Sequence, residues 1–209
     1  MKISPLFTPE AAAIDQLIAE HPFAQLISVD AGVPVCTPLP LLLDRGPDVS
    51  WLLGHFARSN PQVDMLRRSP RALAIFMGPH GYVSPSWMRD RTQAPTWNYT
   101  TVHFEIEVAF DDSQAATTSA LERLVAHMER NSHVPWTAAE LGSRYAALSK
   151  AVIAFRAKVL ATQAKFKLGQ NERPDVFQDI LRGLRSTTGA TLADAMERRR
   201  RENTTSPSE

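Results

Sequence analysis

Between Phe76 and His103 the chain reads FMGPHGYVSPSWMRDRTQAPTWNYTTVH, a stretch that gathers Trp87, Trp97, Tyr82, Tyr99, His80, His103 and Asn98. Aromatic bodies want an apolar wall while their N–H and O–H tips want hydrogen bonds, so this mixture is costly to expose and awkward to bury without partners. The chemistry it suits is a wall for a flat aromatic ligand. A long packed connection between two strands, with the aromatics as its private core, is the bland alternative. Polar groups recurring beside the rings favour the wall.

Two other stretches offer groups for an anion. In HFARSN (His55 to Asn60) a strand ends, the chain turns and a helix begins, so backbone N–H groups gather beside Arg58 and Ser59, with Asn60 as the cap. Such a turn suits a phosphate or carboxylate, although an ordinary connection with a solvated arginine fits the residues equally well. In KFKLGQN, Lys165 and Lys167 project on one face and Phe166 and Leu168 on the other, followed by Gly169, Gln170 and Asn171. Two neighbouring cations repel one another unless an anion sits between them. Lysines that deter pairing at a sheet edge are the plainer explanation.

The elements that must position these groups follow from pattern. Thr8, Pro9 and Glu10 read as a helix start, with hydroxyl cap, proline at the first position and an acid at the positive dipole end; the helix ends at His21. Phe23 to Asp30 and Val33 to Asp44 are apolar runs around Ala31-Gly32, a hairpin in outline. Pro34, Pro38 and Pro40 cannot donate to a ladder, which puts the second strand at an edge or makes it bulged. Strands are expected over Val49 to Phe56 and Arg71 to Gly78, and a short helix over Pro61 to Arg68. From Trp97 to Asp111 the alternation sets Tyr99, Thr101 and His103 on a polar face and Thr100, Val102, Phe104 and Ile106 on the other. His103 shares its face with Tyr99, which makes it a candidate for lining a site.

Helical spacing from Ser113 to Arg130 places Leu121, Leu124, Val125 and Met128 in one stripe, read as core. Another helical region runs from Pro135 to Tyr145, a strand alternates from Ile153 to Val159, and Lys165 to Leu168 extends or resumes it. Helices follow over Pro174 to Leu184 and from about Thr191 into Arg198 to Arg201, and the polar tail NTTSPSE is expected to be disordered. Strands making hairpins before interrupted helices point to an antiparallel barrel with helices around it. The domain reading is a cofactor-binding barrel over 1–185 and a C-terminal helix and tail over 186–209.

Composition sets bounds. The 209 residues carry 23 Lys plus Arg against 22 Asp plus Glu, a net charge of +1, so any DNA binding must come from a local patch such as Arg198 to Arg201. The single cysteine, Cys36, excludes an internal disulfide and a multi-cysteine metal site, and its apolar surroundings suggest a small buried hydrophobe. No metal-ligand spacing, P-loop or GxGxxG is present. With no secretory signal pattern and no run of about 20 apolar residues, the chain is read as cytoplasmic and unattached to membrane.

The phrases GPHGYVSPSW (Gly78 to Trp87) and APTWNYTTVH (Ala94 to His103), flanked by GHFARSNP (Gly54 to Pro61) and KFKLGQN (Lys165 to Asn171), closely resemble the PaiB-like family, described as FMN-binding negative transcriptional regulators. Four motifs in the right order, across nearly the whole chain to about Leu184, carry the resemblance. Met88 stands where the family usually shows an aromatic, and Gly169 where it usually shows Ser. The resemblance implies an α+β fold, mainly β with helices, a split β-barrel of the FMN-binding type, as a homodimer with cofactor sites at the subunit interface. It implies FMN as cofactor, with His55, Arg58, Ser59, Asn60, Trp97, Asn98, Tyr99, His103, Lys165, Lys167 and Gln170 as binding residues. Within that set, Arg58, Ser59 and Lys167 are expected on phosphate, Trp97 and Tyr99 on the ring system, and Asn98, His103 and Gln170 on its polar edge.

Two other readings stand beside it. Relatives of the family include haem-dependent piperazate synthases, which close an N–N bond in N-hydroxylated ornithine; on that reading haem b replaces FMN, and His55, His80 and His103 are the axial candidates, since neutral imidazole is a common ligand to haem iron. A dimeric interaction module without cofactor is the third, and it leaves the polar and aromatic groups of 76–103 without a purpose.

Overall fold

The computed structural model describes Met1 and residues 4–205, with the backbone alone for 203–205. Ten elements build its sheet and main helices before the last long strand: α1 (Ala11–Glu20), β1 (Phe23–Asp30), β2 (Val33–Pro40), β3 (Leu42–Arg45), β4 (Ser50–Ala57), α2 (Gln62–Arg68), β5 (Arg71–Val83), β6 (Thr96–Asp111), α3 (Gln114–Glu129) and α4 (Arg144–Lys150). The chain ends with β7 (Val152–Lys167), α5 (Pro174–Arg185) and α6 (Ala190–Thr205). Among the described residues the strands form one antiparallel sheet in the order β2-β1-β5-β6-β7-β4-β3, which does not close. Of the tail NTTSPSE (203–209), expected to be disordered, 203–205 instead continue α6, and 206–209 lie outside the described residues.

Two compact units make up these residues, Asp15–Phe76 with His103–Thr162, and Met1–Ile14 with Met77–Val102 and Gln163–Glu209. In the first, the β1–β2 hairpin turns at Ala31 and Gly32 with φ of 47° and 83°, both left-handed, the conformation whose twist matches a two-residue hairpin. Its register runs from Asp30↔Val33 to Phe23↔Pro40. Counting outward from the turn, Pro34, Pro38 and Pro40 all fall at positions whose amide position faces away from β1. The edge expectation for this strand is therefore met, without loss of a ladder bond. The run to Asp44 is not one strand, however. It breaks at Leu41, and β3 pairs with β4 at the opposite end of the strand order.

The core of this unit forms where β4 and β7 pair, Gly54 opposite Phe155. Phe56, Phe110 and Phe155 interlock with centroids 5.3 to 6.0 Å apart. A Cβ on Gly54 would lie 2.6 Å from Leu41 Cδ2 and 2.9 Å from Phe155 Cζ, so both side chains would have to shift to admit one. Gln62 is fully buried, and its amide nitrogen donates to the carbonyls of Leu26 and Val35 and to Ser28 Oγ, tying α2 to the hairpin. Two expectations fail here. Cys36 is exposed on the edge strand, where its thiol meets Gln25 Oε1 at 3.1 Å, because the edge leaves that side uncovered. The α3 stripe is only partly covered: Leu121, Leu124 and Val125 are half-buried and Met128 is 56% exposed.

In the second unit β5 continues through Gly78, Pro79 and Gly81 to Val83, five residues beyond its expected end. The stretch 76–103 is thus two adjacent strand ends joined by a loop with a short 3-10 turn at Pro85–Trp87, not an irregular segment. Helices α5 and α6 supply the core, with Val176, Phe177, Ile180, Leu184, Leu192 and Met196 buried. Trp87 lies so close to α5 that a Cβ on Gly183 would sit 2.3 Å from the indole. Thr8 does not cap α1. Its hydroxyl donates to the Ser4 carbonyl, and the first helical bonds go to the Glu10 carbonyl.

Candidate functional site

The ends of β5, β6 and β7 in the second unit carry the most distinctive surface. Burial along β5 changes phase near Pro79: Ala74, Phe76 and Gly78 point inward, then Val83 does, which exposes His80 and Tyr82 together. A one-residue slip of that kind is what a bulge produces. Trp97 on β6 is 51% exposed and donates its indole N–H to His80 Nδ1 at 3.4 Å, and its ring lies 6.2 Å from that of Tyr82. Two residues on, Tyr99 meets the Lys165 ammonium at 5.8 Å, and Phe7 lies 5.7 Å from the same cation. Lys167 donates to the Thr96 hydroxyl. Phe166 and Leu168 alternate inward, so both lysines project on the opposite face as the pattern requires.

The remaining expected residues of this unit are differently occupied. Asn98 is 2% exposed and faces the opposite side of β6 from Trp97 and Tyr99, its amide donating to Met196 Sδ at 3.5 Å. Gln170 clamps its own turn, accepting from Leu168 N–H at 2.7 Å and donating to the Phe166 carbonyl at 2.5 Å. Gly169 within that turn has φ of 76°.

In the first unit, HFARSN forms the predicted strand, turn and helix. Asn60 accepts from the Gln62 amide at 2.9 Å and donates to Thr37 Oγ1 at 3.1 Å, while Ser59 is exposed. Arg58 donates to the Lys150 carbonyl at 3.1 Å and to Asp112 at 3.2 Å, and Asp112 also takes Arg67 at 2.8 Å. Hydrogen bonds from Arg67, then Arg58, hold the Asp112 carboxyl below its ordinary range. His55 is half-buried with a buried Nδ1 that has no hydrogen-bond partner, and burial pushes its pKa down. His103 is also half-buried and shifted down by burial.

What sequence reasoning missed are the partners: Phe7 and Thr96 beside the lysines, and Asp112 and Lys150 beside Arg58. Their separations of 54 and 92 residues from Arg58 leave no local signal. Among the described residues no group of three His, Cys, Asp or Glu could hold a metal ion, and no helix is long and apolar enough to cross a membrane.

Chemically, the second unit offers an aromatic face for stacking and two cations on the same side for an anionic tail. That donor set fits a flavin mononucleotide, whose ring is flat and whose tail is a phosphate.

The comparisons agree in fold. The flavocytochrome Anf3 from Azotobacter vinelandii superposes with a TM-score of 0.60 at 14% identity, over 78% of this chain and 72% of that one. The FAD and heme binding protein from Mycobacterium smegmatis gives 0.58 at 18% identity, over 84% and 79%. These likenesses show the fold alone, that of a split barrel. In sequence, the chain is 30% identical over 193 residues to the protease synthase and sporulation protein PAI 2 of Bacillus subtilis, covering 90% of this chain and 91% of that protein. Residues 1–161 match the family model described as "Putative FMN-binding domain". With its own motifs in the same order, the chain belongs to this FMN-binding-domain family, the PaiB-like proteins.

Proposed function

We propose that the protein binds FMN and acts as a PaiB-like negative transcriptional regulator. The observation that carries the cofactor is the exposed face of His80, Tyr82, Trp97 and Tyr99 beside Lys165 and Lys167. Trp97 and Tyr99 would contact the ring system and the two lysines the phosphate. Arg58 is committed to Asp112 and a backbone carbonyl, so an anion there must displace a carboxylate. The phosphate assignment therefore rests on the lysines. When bound, FMN supplies redox chemistry. The chain's part is to stack the ring and neutralise its tail.

A homodimer is part of the proposal. Met77, Tyr82 and Trp97 are each about half exposed, and apolar groups grouped on one surface mark a face for a partner. The regulatory role draws on the family and on Arg198 to Arg201 of α6. Of that run, Arg199 bonds the Thr8 carbonyl and Arg200 lies over Phe177.

Haem b in place of FMN is favoured by one observation, the buried, unpartnered Nδ1 of His55 with its lowered pKa, since a neutral imidazole is what an iron ligand requires. The deciding experiment is an absorbance spectrum after incubation with FMN, and separately with haemin, followed by gel filtration. A retained flavin band supports the first reading. A Soret band lost in His55→Ala moves the protein to the haem class, and a colourless protein overturns both.

A further inference from the structure

We propose that a second site, at the C-terminal half of α3 in the first unit, binds a small organic cation with an apolar body. One wall of this cavity of about 430 Å³ is a helical stripe, Glu122, Val125 and Glu129, and the facing wall is Pro135, Trp136 and Ala139. Glu122 and Glu129 are seven residues apart, two turns of helix, so both carboxylates stand on the cavity side with Val125 between them. The volume lies within the range of small-molecule pockets, roughly 300 to 1,000 Å³.

The walls are held in place from within. Glu129 Oε2 accepts the Trp136 amide at 3.2 Å, and Thr137 N–H donates to Glu140 Oε1 at 2.9 Å, fixing the turn that presents the indole. Trp136 nonetheless remains 38% exposed, and the apolar stripe of α3 beside it is incompletely covered. An accessible indole flanked by carboxylates and aliphatic walls is the arrangement that recognises alkylated or aryl cations, through the negative ring face and opposite charge. The one cation in the lining, Arg130, turns its guanidinium to the carbonyls of His127 and Ala19, at 2.6 and 3.0 Å. Charge thus favours a cation over an anion, and the apolar walls favour an organic cation over a metal ion.

Tetraphenylphosphonium and tetraphenylborate have the same shape and opposite charge, which makes them the test pair. Titration of the full chain, followed by calorimetry and tryptophan fluorescence, should show saturable binding of the phosphonium alone. Glu122→Gln should weaken it about tenfold, and Trp136→Ala should weaken it further and remove the fluorescence change. Glu122 has a surface position and its replacement keeps shape, so that variant reads charge and not folding. Equal binding of the two ions, or phosphonium binding untouched by both substitutions, overturns the proposal.

Discussion

Trp97 and His80 are joined by a hydrogen bond of fixed direction: the indole N–H donates to Nδ1 at 3.4 Å, with the ring planes 25° apart. Indole nitrogen can only donate, so His80 Nδ1 carries the lone pair and the proton of its neutral form sits on Nε2. An iron-bound histidine has the opposite arrangement, with the ligating nitrogen bare and the other N–H donating to a carbonyl or carboxylate. His80 therefore presents a donor and not an iron-binding lone pair. In a haemin titration His80→Ala should give the wild-type Soret band, whereas His55→Ala should lose it. The reverse pattern would refute the tautomer argument.

Lys167 and Lys165 carry the phosphate assignment, and an analogue lacking phosphate isolates it. Lys167→Met should weaken FMN binding about tenfold while leaving riboflavin affinity within a factor of two or so, since an ion pair with a partly buried partner contributes on the order of 1 kcal/mol. Equal losses for both ligands, measured by flavin fluorescence, would show that Lys167 supports the fold instead.

Two left-handed residues test backbone conformation directly. Gly169 sits at φ of 76°, and a Cβ there would lie 3.1 Å from Met196 Cε. Gly169→Ser, the residue usual in the family, should cost about 1–2 kcal/mol and lower Tm by about 2–8 °C. Ala31, at φ of 47°, is the converse case. Ala31→Asn creates the favoured Asn-Gly hairpin turn and should raise Tm by about 2–4 °C. A Tm unmoved by either change contradicts the turn geometry.

These turns also show what was legible in the chain. Ala31-Gly32 announced a hairpin because the apolar runs on both sides are local information, and the three prolines pointed to an edge or a bulge because each lacks a donor. Extension of β5 through Pro79 and Gly81 was not legible: those residues break isolated strands, and the slip that exposes His80 and Tyr82 depends on neighbouring strands. That Trp97 shares a face with Tyr99, and Lys165 with Lys167, follows from alternation alone. Asn98, next in sequence, lies on the other face of β6 by that same alternation, and its packing against Met196 joins residues 98 apart. Exposure of the α3 stripe was hidden for a similar reason, because helical spacing tells which side is apolar and not whether anything covers it.

His55 and His103 set the neutral-to-acid response. Burial lowers both pKa values below the ordinary 6.5, so the unfolded chain binds protons more readily than the fold. Stability from these groups is complete above about pH 6.5 and declines as pH falls through the unfolded value toward the folded ones. The urea midpoint should drop between pH 7.5 and 5.5, and drop less in the His55→Gln, His103→Gln double variant. Identical declines would place the effect in other groups. The depressed carboxylates Asp111, Asp112 and Asp175 act in a separate window, below about pH 4, where protonation removes their hydrogen bonds.

Asp179 is the buried anchor of the loop between β5 and β6. Its side chain is 3% exposed and accepts the Arg89 amide at 2.9 Å, Arg89 Nε at 3.3 Å and Arg182 at 2.5 Å. These bonds, led by the Arg89 amide, hold its carboxyl below the usual range and keep it ionised in the fold. Asp90 in the same loop takes Thr92, Gln93 and Arg173, so the loop is tied both to α5 and to the residue that precedes it. Asp179→Ala removes the acceptor and leaves the Arg89 amide without a partner, while Asp179→Asn keeps an acceptor and loses the charge. Trypsin cleavage after Arg89 and Arg91 should accelerate strongly in the alanine variant and modestly in asparagine, with Tm falling in the same order. Because Trp97 follows this loop into β6, FMN affinity should weaken in parallel with cleavage. Unchanged proteolysis in Asp179→Ala would show that the loop is held elsewhere, by Trp87 against Gly183.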